Sequence, residues 1–180
     1  STELIPLGSL VRIQEGGLVV VLIINHNFMR SIKREIVAAL IFSKDNKLFQ
    51  GMKDPEHGGV YLDCWHIPGG GLDEGEDKIA GLIREVFEET GIDISLEKIE
   101  LVDDLGTGES EKTLKESGEK VLCHMIFNVY KIVLSKNSDE ININLNDDLV
   151  KYRWTDLNDL KNLKLTPPSV ELFTRLGYLD

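Results

Sequence analysis

The sequence predicts an α/β sandwich, a mixed β-sheet interrupted by one central helix and closed by another. Three observations carry that prediction. Apolar, β-branched runs such as EIVAALIF and VLCHMIFNVYKIVL have the length of buried strands. Residues 76–90 repeat their apolar positions at helical spacing. Near the end, Thr166-Pro167-Pro168 is a helix-opening signal. With 180 residues, 42% of them hydrophobic and 28% charged, the chain has material for one ordinary core. Residues 1–34 are expected to form a β-hairpin extension of the same domain whose main body is 35–180.

Taken in order, 10–13 and 18–24 are β-rich runs separated by Glu15-Gly16-Gly17, which reads as a hairpin. Residues 29–34 are basic and mostly polar, hence an expected loop. A buried-type strand follows at 35–42, and Ser43-Lys44-Asp45-Asn46 turns it into a returning strand at 47–52. The stretch 53–61 carries Pro55 and two glycines and reads as an exposed loop, while 64–67 is a short strand ending at Pro68 and a glycine triplet. In the helix at 76–90 the apolar stripe is Ile79, Leu82, Ile83 and Val86, and Gly91 stands where a C-terminal glycine belongs. A strand is expected at 99–105. The polar, glycine-punctuated 106–120 reads as a mobile loop, and 121–134 as a long strand. The Asn/Asp-rich 135–148 is a further loop, 152–154 a last short strand, 157–163 a helical turn, and the C-terminal helix runs to about Leu176.

Composition narrows the function. Thirty-one acidic against 20 basic residues give a net charge of −11, which argues against a nucleic-acid polymer or an anionic membrane as partner. An anionic small molecule remains open if a divalent metal screens the acidic site. Cys64 and Cys123 are too few for a disulfide framework and lack a zinc quartet, so buried thiols are expected. The run at 18–24 is too short to span a bilayer, and no signal-peptide pattern is present. The expectation is a soluble, cytoplasmic protein.

The informative stretch is GGGLDEGEDKIAGLIREVFEETGI, from Gly69 to Ile92. On a helix Glu85, Glu88 and Glu89 share an arc of roughly 100°, beside the apolar stripe. Like charges three or four apart repel, and anions near a helix C-terminus oppose its dipole, so a cation should offset them. Mg²⁺ or Mn²⁺ suits carboxylate oxygens and can bridge through water to a phosphate. Gly69, Gly70 and Gly71 permit close backbone approach, and Arg84 can grip a carboxylate and fix its rotamer. Taken alone, REVFEE also reads as an ordinary acidic, solvated helix.

The full spacing decides between the two. Gly70, Glu76, Arg84-Glu85-Val86, Glu88-Glu89 and Gly91-Ile92 occupy every fixed position of the Nudix box, a coincidence on the order of once in ten million chains at ordinary residue frequencies. The sequence therefore resembles a Nudix hydrolase, and Trp65-His66-Ile67-Pro68-Gly69-Gly70, Tyr152-Arg153-Trp154 and Leu165-Thr166-Pro167-Pro168 resemble other features of that family.

The resemblance implies a Nudix-type α/β/α sandwich with a mixed β-sheet and metal-dependent hydrolysis of a diphosphate linked to another moiety. It implies Glu85, Glu88 and Glu89 as metal ligands, with a carbonyl of Gly69 or Gly70 and with Mg²⁺ (or Mn²⁺) as the ion. Arg84 would be an orienting partner, and Glu76 would support the loop. A general base can come from the box or a later loop, for which Asp148 and its neighbour Asp147 are candidates beside their reading as turn aspartates. Trp65, Tyr61, Phe127 and Tyr152 are candidates for stacking on a base, or core residues; His66 and His124 are pocket-lining or structural. The first substrate choice is a (deoxy)nucleoside triphosphate, including oxidised forms, and ADP-ribose or a nucleoside diphosphate sugar is second. Two rival readings are an isopentenyl diphosphate type isomerase, which would use Cys64, and a non-catalytic sensor of nucleotide derivatives. The intact box argues against both. A homodimer built through the N-terminal extension is also expected of the sugar-nucleotide reading.

Overall fold

The computed structural model describes residues 9–15, 18–24, 29–53, 61, 63–114, 117–146 and 149–180. Strands β1 (Ser9–Glu15) and β2 (Leu18–Ile24) pair antiparallel from Ser9 opposite Ile24 to Glu15 opposite Leu18, the hairpin expected around Gly16-Gly17.

The main sheet is built on β3 (Ser31–Phe42) and β9 (Lys120–Val133), which run parallel and in register from Ser31 opposite Leu122 to Phe42 opposite Val133. Around them lie β4 (Leu48–Lys53), β7 (Ile99–Asp103) and β10 (Leu149–Thr155), giving the order β10-β4-β3-β9-β7. Three short or edge strands join this path, β5 (Trp65–His66) on β4, β6 (Gly69–Gly71) on β3 and β8 (Thr107–Thr113) on β9. Among the described strands, every strand-to-strand ladder except that of β3 with β9 is antiparallel, so the sheet is mixed.

Both faces are covered. On one, Val37, Ala39 and Ile41 pack with Leu82 and Val86 of α1 (Lys78–Thr90). On the other, Ala38, Leu40 and Phe42 pack with Leu172 and Phe173 of α2 (Pro167–Arg175). Burial on alternate sides explains why the second half of β3 is apolar without interruption. The result is the α/β/α sandwich expected from the sequence.

Several boundaries differ from the expectations. The loop predicted at 29–34 is largely strand, because the parallel ladder to β9 continues back to Ser31; its polar residues alternate between exposed and half-buried, as a strand at the sheet's end permits. The loop predicted at 106–120 contains β8, paired from Thr107 opposite Ile126 to Thr113 opposite Lys120. An edge strand with most of its side chains in water needs no apolar alternation, which hid it from pattern reading. The strand predicted at 99–105 ends at Asp103, and the last strand begins at Leu149 instead of 152.

Helix α1 begins at Lys78, capped by the Asp77 carboxylate accepting from Ile79 N and Ala80 N, and ends at Gly91 with φ of 72°. Its apolar stripe is shorter than predicted. Leu82 and Val86 are buried, but Ile79 is 36% exposed. In that first turn Lys78 faces the sheet instead, reaching Glu35 at 2.6 Å and the Asn128 side-chain oxygen at 3.0 Å. Cys64 and Cys123 are both buried and not joined to each other. Among the described residues no helix is long and apolar enough to cross a membrane.

Candidate active site

The glycine triplet forms β6, whose Gly69, Gly70 and Gly71 lie opposite Ala38, Val37 and Ile36 of β3. Each glycine meets a different partner. Gly69 N donates to Glu89 Oε2 at 2.9 Å, and Glu89 is only 2% exposed. At Gly70 the space of a Cβ is filled by the Glu85 carboxylate. At Gly71 that space is filled by the Arg34 guanidinium, while its carbonyl accepts from Arg84 Nη2 at 3.3 Å. Absence of side chains is thus what lets two carboxylates and two guanidinium groups lie against one short strand.

Arg84 organises the acidic side. Its Nε and Nη2 take the two oxygens of Glu76 in parallel, at 2.8 and 2.7 Å. Its Nη1 is shared between Glu85 Oε1 at 2.8 Å and Glu88 Oε2 at 3.1 Å. The fork-shaped grip predicted for Arg84 therefore closes on Glu76, and a single nitrogen holds Glu85 and Glu88. Glu76 also accepts from Asp73 N at 2.9 Å, so it ties the loop before α1 to the helix. These donors, Arg84 first and Asp73 N second, depress the Glu76 carboxyl to about 2. The Glu76 hydrogen bond is also the first cause that raises the Arg84 guanidinium.

Linkage then gives a pH dependence. A depressed carboxyl stabilises the fold fully above its unfolded value near 4.5 and loses that contribution as pH falls towards about 2. Wild-type thermal midpoints should fall between these values, and Glu76→Gln should flatten that part of the profile. An unchanged slope in the variant would assign the acid sensitivity to other carboxylates.

Among the described residues no three His, Cys, Asp or Glu side chains form a ready-made metal cage. The donor set nevertheless fits a hard divalent cation. Glu85 and Glu88 already share one positively charged nitrogen, and Glu85 lies against a glycine backbone whose carbonyls are hard oxygen donors.

On the α2 side of β3 lies a cavity of about 360 Å³, walled by Ile36 and Ala38 of β3, Phe127 and Val129 of β9, and α2, with Gly69 at its border. Of the predicted substrate contacts, His66 and Phe127 line it, and so does Tyr61. Trp65 lies outside the lining; the Arg153 guanidinium sits over its ring at 5.4 Å. Tyr152 stacks on Phe49 at 5.9 Å, in the packing around the α1 face. His124 Nδ1 meets Glu109 at 2.8 Å in a second depression that adjoins the cavity through Glu109 and Met125. Asp147 and Asp148 fall outside the described residues.

Sequence reading missed Lys53 and Arg175, which also line the cavity. Arg175 is held by Asp103 through paired bonds of 3.0 and 2.7 Å. Lys53 ends β4 and Arg175 ends α2, so only the tertiary fold brings them to the cavity, and no local pattern marks them.

An α/β/α sandwich with carboxylates of one helix set against a glycine strand beside an apolar cavity defines a Nudix-type hydrolase. The sequence also matches the NUDIX domain over residues 33–176, most of the chain, and the protein belongs to the Nudix family. Nucleoside triphosphatase NudI of Escherichia coli (strain K12 / DH10B) is 32% identical over 136 residues, covering 74% of this chain and 89% of that protein. RNA pyrophosphohydrolase of Bartonella quintana (strain Toulouse) is 32% identical over 62 residues, and that match spans 33% of this chain and 36% of that protein. The crystal structure of the MutT protein from Methanosarcina mazei Go1 shares the fold with a TM-score of 0.59 at 21% identity, over 82% of this chain and 96% of that one. The chain is a Nudix pyrophosphohydrolase acting on a small-molecule diphosphate, in a family that generally uses divalent metal ions.

Proposed function

We propose that this enzyme hydrolyses a (deoxy)nucleoside triphosphate, including oxidised forms, with Mg²⁺ as its ion and Mn²⁺ as a substitute. The observation that carries the reading is the cavity, whose apolar wall of Ile36, Ala38 and Phe127 meets Gly69, the residue whose N–H is bound by Glu89. Its volume of about 360 Å³ lies at the lower end of small-molecule sites and suits a base and sugar, leaving the phosphates to run towards the carboxylates. The likeness to a protein named nucleoside triphosphatase, along 74% of this chain, supports the same substrate class.

Glu85, Glu88 and Glu89, with a carbonyl of Gly69 or Gly70, would hold the metal. Such an ion neutralises phosphate oxygens and lowers the pKa of an attacking water. Arg84 holds Glu85 and Glu88 in place, and Glu76 holds Arg84. Phe127 offers a flat face to a base, and His66 borders the same space. Asp148 is the proposed general base, taking the proton of the water that attacks phosphorus. Asn146 N bonds to the Glu89 carbonyl at 3.3 Å, which supports a base supplied from this loop.

The test is product release from nucleoside triphosphates, nucleoside diphosphate sugars, dinucleoside polyphosphates and isopentenyl diphosphate, each with Mg²⁺ and with EDTA. Cleavage of the triphosphates that EDTA abolishes is the expected result. Preferred cleavage of a sugar nucleotide would replace the substrate, and metal-dependent binding without cleavage would leave the carboxylates as a binding site.

A further inference from the structure

Arg34 is the arginine beside the glycine strand that is committed to no carboxylate. Arg84 is held by Glu76, Glu85 and Glu88, Arg175 by Asp103, and Lys78 by Glu35. No hydrogen bond or ion pair joins the half-buried Arg34 to another side chain among the described residues. A half-buried guanidinium without an anion is costly unless an anion arrives.

Its position says where that anion would come from. Alternation along β3 puts Arg34 on the same face as Ile36 and Ala38, which line the cavity. In the parallel register Arg34 lies beside Met125, Ile36 beside Phe127 and Ala38 beside Val129, and those three β9 residues also line the cavity. Arg34 therefore continues the cavity floor by one step. Its guanidinium then folds over Gly71, on the opposite side of β6 from Glu85, which lies against Gly70. A substrate with its base in the cavity and a phosphate at the carboxylates must carry its phosphate chain past β6, which among the described strands pairs with β3 alone.

We propose that Arg34 is a substrate-binding residue whose guanidinium takes phosphate oxygens of the chain as it passes over the glycine strand. This rests on the proposed hydrolysis of a triphosphate at this site. The guanidinium matches phosphate oxygens in a two-point geometry that an ammonium cannot reproduce. Its contribution is to binding, common to ground and transition states, so it should act on KM more than on kcat.

Calorimetric titration with inorganic tripolyphosphate in Mg²⁺ buffer tests the residue without needing the substrate's identity. Relative to wild type, Arg34→Gln should weaken tripolyphosphate binding by about tenfold or more, and Arg34→Lys should recover part of it. Thermal midpoints of both variants should be no lower than wild type, since the side chain bonds to no other described residue and its charge is half-buried without an anion. In turnover assays on a cleaved triphosphate, Arg34→Gln should raise KM by a similar factor with kcat within about threefold. Equal tripolyphosphate affinity in wild type and Arg34→Gln, or no binding by wild type, would overturn the assignment. Failure of every triphosphate to be cleaved while Arg34→Gln still weakens tripolyphosphate binding would instead remove the proposed substrate and leave the phosphate contact standing.

Discussion

Glu85→Gln and Glu89→Gln should each lower turnover by at least about 100-fold while leaving the fold close to wild-type stability. The stability half of this expectation comes from charge. Glu85 and Glu89 sit one turn apart on a helix whose last turn contains no basic residue, and Glu89 is 2% exposed. Like charges at this spacing cost a few tenths of a kcal/mol, and burying a carboxylate costs more. Glutamine keeps the oxygen that accepts from Gly69 N or from Arg84 Nη1 and removes the charge. The catalytic half comes from the same charge, which a divalent ion needs and a neutral amide supplies poorly. Thermal unfolding beside kcat on a cleaved nucleotide checks both halves. Wild-type turnover in both variants would take these carboxylates out of the chemistry; a large loss of stability would make the charge structural.

Much of this arrangement is legible in the sequence. The spacing from Gly70 to Ile92 places the glycine strand, the helix and its C-terminal glycine, and it marks Glu85 and Glu88, which share Arg84 Nη1, and Glu89, which accepts from Gly69 N. Two things are not legible. The first is how the charges pair. Arg84 lies next to Glu85 in the chain, yet its two-point partner is Glu76, eight residues back, because the loop before α1 folds over the helix and Asp73 N adds a second donor to the same carboxylate. The second is everything assembled from distant segments. The cavity takes its walls from β3, β8, β9 and α2, and β8 is a polar edge strand that carries no alternation to announce it. Trp65, adjacent to His66, lies outside the lining while His66 is in it, a difference of strand side that β5, two residues long, does not encode.

Alanine at Gly69 and at Gly70 should produce opposite losses, although the two positions are neighbours and the added atom is the same. At Gly69 the backbone has φ of 144°, a conformation side chains rarely adopt, and the new Cβ would run into the Val37 carbonyl oxygen and the Ala38 Cα. Both obstacles are main chain of the central strand, fixed between two packed layers, so they cannot yield. Strain and overpacking together should cost about 3 kcal/mol or more, and the variant should unfold well below wild type or fail to accumulate. At Gly70 the nearest atoms the new Cβ would meet belong to the Glu85 carboxylate, the far end of a flexible side chain. That group can rotate away for about 1 kcal/mol, so Gly70→Ala should fold. Its carboxylate would then be displaced from the glycine strand, and turnover should fall about as far as in Glu85→Gln. Denaturant midpoints and kcat for both variants separate the two effects. A stable Gly69→Ala protein would mean that β3 gives way at Val37, and a fully active Gly70→Ala protein would mean that Glu85 works from somewhere other than its place against the glycine strand.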